Sequence, residues 1–335
     1  MTADVDVAAH DQILRRDILP LYFPDTGQGA TPTFTLVAGQ PGAGRARISS
    51  ALARESGDGT ALLNGEELRA FYPGFVSTST NIDPEAEAAL ARAVSGWVSA
   101  SIRYAREQHR SLVLEGTFGN GAAAAGTARR FAEAGFTTRL VVVGSRRAES
   151  LLSVTSKYLR DVQAGRAGGL ISRQAHDEAF AATRNLMASV EDGLWVDRLT
   201  VVGRDGQVLF DGDQAGASGF VGAGRALAEA QSAPMGRFDA TQWLSELHHL
   251  TDFAATRRQL PNGVAELLVD LHETSLREVI PQLHVPAGGR FATAMEQKTV
   301  ASLVALRKTV PLASPVDAAA PVLVPGGPER GGVSR

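Results

Sequence analysis

Thr33-Phe-Thr-Leu-Val-Ala38, then Gly39-Gln-Pro-Gly-Ala-Gly44, then Arg45 is the stretch that decides the fold. The first six residues are an apolar, β-favouring run, and the next six form a tight glycine-rich turn. From Arg45 to about Ser56, apolar residues recur at helical spacing through Ile48 and Leu52. Residues 39–44 fit G-x-x-x-x-G, in which backbone N–H groups and a helix N-terminus cradle phosphates. In the full motif a lysine follows and reaches the terminal phosphates, and then a Ser or Thr whose hydroxyl binds magnesium. Arg45 and Ala46 stand at those two places. Arg45 keeps a positive charge but not a compact ammonium, and Ala46 has no oxygen for a metal. An ordinary glycine turn between strand and helix is the other reading of the same residues.

Working outward, short apolar runs at 61–63, 111–114, 139–143 and 199–203 predict further strands. Helical spacing covers 83–108, 122–135, 149–163 and 173–190. Strands alternating with helices argue for an α/β protein with a mostly parallel sheet flanked by helices. Asp205-Gly206 between apolar runs over 201–210 predicts a hairpin at the sheet edge. Ahead of the first strand, 5–19 is an amphipathic helix expected to end at Pro20. After 212 the character changes. A Gly- and Ala-rich run leads to helical patterns around Trp243, Leu244, Leu247, Leu250 and Phe253, then Leu267, Leu268, Leu271 and Leu276. We therefore expect a C-terminal helical appendix over 213–310, with its leucine spacing read as core packing, and a disordered tail at 311–335.

The 335 residues include 30 arginines but only three lysines, Lys157, Lys298 and Lys308. An arginine where a motif wants lysine follows that bias; a lysine where arginine is wanted runs against it. A net charge of −3 leaves no basic footprint for nucleic acid. No apolar run approaches a membrane span and no secretory leader is visible, so a cytoplasmic protein is expected. The absence of cysteine excludes disulfides, cysteine-bound zinc and thiol catalysis. His248 and His249 are adjacent on a helix and point to different faces, so no metal site is spelled.

TLVAGQPGAG (35–44), LLNGEELRAFYPGF (62–75), LVLEGTFGN (112–120) and SRQAHD (172–177), in this order and with the late hairpin, resemble the zeta-toxin family. The resemblance covers about 10–210 and implies a P-loop kinase-like domain over 1–212. It implies transfer of the ATP γ-phosphate to a nucleotide sugar, UDP-N-acetylglucosamine in characterised members, with ATP and Mg2+ as cofactors and a small antitoxin protein as partner. The phosphate loop would then comprise Gly39, Gln40, Pro41, Gly42, Ala43, Gly44, Arg45 and Ala46.

Glu66 falls at the family's catalytic carboxylate within Asn64-Gly65-Glu66, with Arg69 three residues on; taken alone, Glu66 and Glu67 read as first-turn acids favouring a helix dipole. Glu115 and Thr117 match the family's sugar-binding Glu-Gly-Thr, at a strand C-terminus where open α/β sheets place ligands. Lys157, before Tyr158, takes the place of an arginine that neutralises the transferred phosphoryl group; as an ammonium it is a point charge rather than a fork. A second family arginine aligns with Gly168-Gly169, with Arg166 the nearest cation, and His176-Asp177 match a pair with a structural look. The alternative function is a catalytically impaired member acting as a nucleotide- or sugar-binding or regulatory module, because Arg45, Ala46, Lys157 and Gly169 all depart from the family pattern.

Overall fold

In a computed structural model, the described residues are 7–24, 31–57, 59–75, 84–166, 168–257, 261–284 and 289–308. The expected tail at 311–335 lies outside them. The strands are β1 (Thr33–Ala38), β2 (Ala61–Asn64), β3 (Leu112–Gly116), β4 (Thr137–Gly144), β5 (Arg198–Gly203) and β6 (Val208–Asp213). They form one sheet in the order β2-β3-β1-β4-β5-β6. All neighbours are parallel except β6, which returns antiparallel from β5 as the hairpin predicts.

Between the first and last strands run α2 (Arg45–Glu55), α3 (Gly65–Leu68), α4 (Pro84–Glu107), α5 (Gly121–Glu133), α6 (Arg147–Gln163) and α7 (Arg173–Gly193). β1 lies in the middle of the sheet, covered on both faces, which is why it is a continuous apolar run rather than an alternating one. Phe34, Leu36 and Ala38 point to one face, where Phe34 stacks on Phe131 of α5 with ring centroids 3.9 Å apart. Val37 points to the other, with Ala43, Ile48, Val113, Val141, Val143 and Val202. β1 leads to β2 on one side and its neighbour β4 leads to β5 on the other. The loops leaving these two strands therefore diverge and open the crevice in which such sheets hold ligands.

The N-terminal helix α1 differs from its expected end. It runs through Val7–Ile13, a π-turn at Leu14–Ile18 and a last turn at Leu19–Tyr22, so Pro20 does not stop it. The Leu19 N–H bonds to the Leu14 carbonyl, five residues back, and this wider turn carries the helix past a residue that has no N–H of its own. Trp97 of α4 is fully buried beneath α1; its Nε1 donates to the His10 carbonyl at 3.0 Å, and its ring stacks on His10.

Beyond β6, the Gly- and Ala-rich stretch contains α8 (Ala223–Ser232), whose Ala223 and Leu227 join the sheet core. α9 (Arg237–Ala255), α10 (Asn262–Thr274) and α11 (Arg290–Arg307) follow. Trp243, Leu244, Leu247, Leu267, Leu268 and Leu271 build a second core with Ala148, Leu151, Leu152, Val154 and Leu159 of α6. The leucine spacing is thus core packing, as read, and the buried apolar residues of α6 belong to this second core. Among the described residues no helix is long and apolar enough to cross a membrane.

Candidate functional site

The loop after β1 is a folded turn that only glycine can make. Gly42 has φ +78°, and a Cβ there would stand 2.2 Å from the Ser150 carbonyl oxygen on α6. Gly44 caps α2 with φ +98°. Ala43 N–H closes the turn onto the Gln40 carbonyl at 3.1 Å. Gln40 is fully buried, and its Nε2 donates to the Ser145 carbonyl and to Ser150 Oγ at 3.0 and 3.2 Å, fastening the loop to α6. The first turn of α2 then opens with N–H groups that have no partner within the helix, at the positive end of its dipole. Ala46 is exposed there and presents only a methyl group.

Arg45 turns from this mouth toward the end of β3. Its side chain is 13% exposed, with Nε 3.6 Å from Glu115 Oε1, and Glu115 itself is 7% exposed. Nη1 donates to Thr117 Oγ1 at 3.4 Å. Ser49, one turn further along α2, places its hydroxyl 3.1 Å from Glu115 Oε2 and 3.0 Å from the Arg45 carbonyl. Burial pulls the Arg45 guanidinium below the usual arginine range, and the charge of Glu115 opposes it. Burial pushes the Glu115 carboxyl up, with Arg45 and Ser49 opposing. The two form a desolvated pair whose charges hold each other in place. Gly116 between Glu115 and Thr117 leaves room for Phe118, itself left-handed at φ +49°, whose ring lies 3.1 Å from where a Cβ would be.

Asn64 at the end of β2 pairs in register with Glu115. Its side chain accepts from the Glu66 N–H at 2.9 Å and starts α3. Glu66 and Glu67 are both exposed. Tyr22 donates to Glu67 Oε2 at 3.4 Å; burial first, and then the charge of Glu67, push the phenol up to about 12. The Glu66 carboxylate makes no hydrogen bond or ion pair among the described residues, yet its charge is felt by both Arg45 and Glu115. Arg69 pairs with Glu87 of α4 at 2.8 Å and so braces α3.

Lys157 lies on α6 with Nζ 3.0 Å from Asp161 Oδ2, and Arg166 reaches Asp161 Oδ1 at 2.7 Å. The two cations singled out from sequence are thus joined through one carboxylate, and both remain about two-thirds exposed (68% and 64%). Burial pushes Asp161 up, but hydrogen bonds and charge from Arg166 and Lys157 outweigh it and hold the carboxyl below its usual range. Gly168 packs close to Asp161, where a Cβ would stand 3.1 Å from the aspartate Cβ. His176 is fully buried, 2.9 Å from Ser150 Oγ, while Arg147 grips both oxygens of Asp177 and also Asp270 of α10. The His-Asp pair ties α6, α7 and α10 together beneath the loop.

Arg204 went unread in the sequence. It follows β5 directly and donates to the Gly42 carbonyl and to Ser153 Oγ on α6. Its place at a strand C-terminus is the signal that could have found it.

A mostly parallel sheet flanked by helices, with a glycine-rich loop between its first strand and the following helix, defines a P-loop kinase-like fold. Residues 22–215 match the family described as Zeta toxin. That match spans more than half of the chain, and the chain belongs to the zeta-toxin family. No curated protein matches it in sequence. A solved structure from the PezAT chromosomal toxin-antitoxin system of Streptococcus pneumoniae shares the fold with a TM-score of 0.63 at 16% identity, over 73% of this chain and 97% of that one. A looser likeness, with a TM-score of 0.45 at 13% identity over 87% of each chain, is to the structure of the AvrRxo1-ORF1:-ORF2 complex with ATP.

Proposed function

We propose that this chain is a kinase that transfers the ATP γ-phosphate to a hydroxyl of a nucleotide sugar, with UDP-N-acetylglucosamine as the acceptor. The observation that carries the reading is the meeting of Arg45, Glu115 and Thr117 at the C-terminal end of β3, beside the glycine loop, with Glu66 within electrostatic reach. The loop and the first turn of α2 cradle the phosphates. Glu115 and Thr117 hold the sugar. The acceptor hydroxyl oxygen bonds to the γ-phosphorus as the bond from that phosphorus to the β–γ bridging oxygen breaks, ADP leaves, and Glu66 takes the hydroxyl proton. Lys157 supplies a positive charge from α6.

The donor set does not fit the magnesium site of the full motif. Ala46 offers no oxygen, and the Ser49 hydroxyl is already engaged by Glu115 and the Arg45 carbonyl. No step is therefore routed through a metal held by this loop. A second reading, a nucleotide- or sugar-binding module without turnover, is favoured by the same residues: Arg45 is held by Glu115 and Thr117 rather than aimed at the loop mouth. A small antitoxin protein as partner and a cytoplasmic location belong to the kinase reading; the toxin-antitoxin origin of the PezAT relative supports the first.

Calorimetry with ATP and UDP-N-acetylglucosamine, beside a phosphoryl-transfer assay, tests the proposal. The wild-type chain is expected to bind both and turn over, and Glu66→Gln to lose on the order of 100-fold or more in kcat with unchanged folding. Sugar binding without turnover, unaffected by Glu66→Gln, establishes the module instead.

A further inference from the structure

Arg204 takes no part in the proposed transfer, yet it stands where three elements meet. It leaves the C-terminal end of β5, two strands away from β1 in the sheet. One end of its guanidinium donates to the carbonyl of Gly42, and the other donates to Ser153 Oγ at 3.2 Å. Its stem runs beside Gly44, with Cγ 3.5 Å from where a Cβ on that glycine would be. It therefore bonds to one left-handed glycine of the loop, runs beside the other, and bonds to the helix against which the loop is wedged.

Gly42 is the residue at which this contact matters most. A carbonyl dipole aimed at the mouth of the loop repels an anion, whereas one turned outward leaves the N–H side of the chain for it. A charged donor on that carbonyl fixes the outward choice more strongly than a neutral one. Ser153, one turn before Lys157 on α6, anchors the same guanidinium, so the loop crest and the helix bearing Lys157 share one fastener.

We propose that Arg204 is a positioning residue for the nucleotide phosphates: it holds the Gly42 carbonyl outward and ties the crest of the loop to α6. The inference rests on the reading of 39–46 as a nucleotide site. Affinities for ATP and AMP, with melting temperature in the absence of ligand, are measured for the wild type, Arg204→Gln, Arg204→Lys and Ser153→Ala. Arg204→Gln is expected to weaken ATP about tenfold or more, in line with loss of a charged hydrogen bond. Its affinity for AMP, which lacks the outer phosphates, and its melting temperature should stay at the wild-type values. Arg204→Lys should recover part of the loss, because an ammonium can hold the carbonyl but not both partners.

An ATP affinity unchanged in Arg204→Gln overturns the proposal. So does a parallel fall of ATP affinity, AMP affinity and melting temperature, which makes Arg204 a general brace of the fold. If Arg204→Gln does not fold, Ser153→Ala decides: about threefold weaker ATP with unchanged AMP supports the proposal, and no change overturns it. Absence of ATP binding in the wild type removes the nucleotide reading itself, and this inference with it.

Discussion

At the scale of single residues, Gly42 is the position with least freedom. Both its left-handed backbone and the 2.2 Å approach of the Ser150 carbonyl exclude a side chain. Gly42→Ala should destabilise the chain by on the order of 3 kcal/mol, since neither backbone nor α6 can yield cheaply. It should also abolish ATP binding; thermal melting and calorimetry check the two effects separately, and a wild-type affinity would show that the loop tolerates another shape. The glycines of this loop were legible because a tight turn between strand and helix leaves few other choices of residue. Glu115 was legible because it closes an apolar run. The direction taken by Arg45 was not, since one side chain can serve either the loop mouth or Glu115. Nor was Arg204, which lies 162 residues from Gly42 in sequence. The strands could be read one by one, but their order in the sheet, which brings β5 near β1, is set by packing of the whole.

At the scale of elements, the five parallel strands fell within two residues of their predicted limits, because buried parallel strands are uninterrupted apolar runs, whereas the exposed β6 runs three residues past the predicted hairpin. The helices were less transparent where composition hides periodicity. α8 lies in a stretch where glycine and alanine blur the apolar face. The unexpected continuation past Pro20 has a counterpart in the appendix. There a π-turn at Ser275–Val279 ends with the Ile280 N–H on the Ser275 carbonyl, and Pro281 follows, as Leu19 and Pro20 follow the first such turn. The same local solution appears twice, and a proline read only as a helix stop misses it. Between elements, Arg147 joins α6 to α7 and α10 through Asp177 and Asp270. Arg147→Met should cost roughly 1–3 kcal/mol, discounted because Asp177 is partly exposed while Asp270 is not. A denaturation midpoint equal to that of the wild type would mean the bridge is screened to nothing.

At the scale of the molecule, the second core contains a pH-sensitive pair. Thr251 donates its hydroxyl to the Leu247 carbonyl at 2.8 Å and so accepts from His272 Nε2 at 2.9 Å, which leaves the bare Nδ1 of His272 buried. His248 faces it, with ring centroids 6.2 Å apart. Burial, then the neighbouring His248, lower His272 to about 4; burial and Lys298 also lower His248, with Asp252 opposing. The unfolded chain, with a histidine near 6.5, binds the proton that the folded chain refuses. Stability is therefore full above about pH 6.5 and lost as the pH falls toward 4, by on the order of 3 kcal/mol from His272. Asp161 and Asp177, held below their usual range, add a further loss only below about pH 4. Melting temperatures between pH 7 and 4 should fall in the wild type and stay flatter in His272→Phe; equal slopes would locate the sensitivity elsewhere.

The position of α6 between the glycine loop and the appendix core has a further consequence. One face of this helix is wedged against Gly42 and bears Ser150 and Ser153, while its apolar residues are the floor on which Trp243 and the appendix leucines rest. Trp243 even donates to the Ala148 carbonyl in its first turn. A helix clamped on both sides has no room to swing as a free lid. The contacts that seat the appendix and those that wedge the glycine loop thus fall on one helix, and a displacement of α6 disturbs both at once.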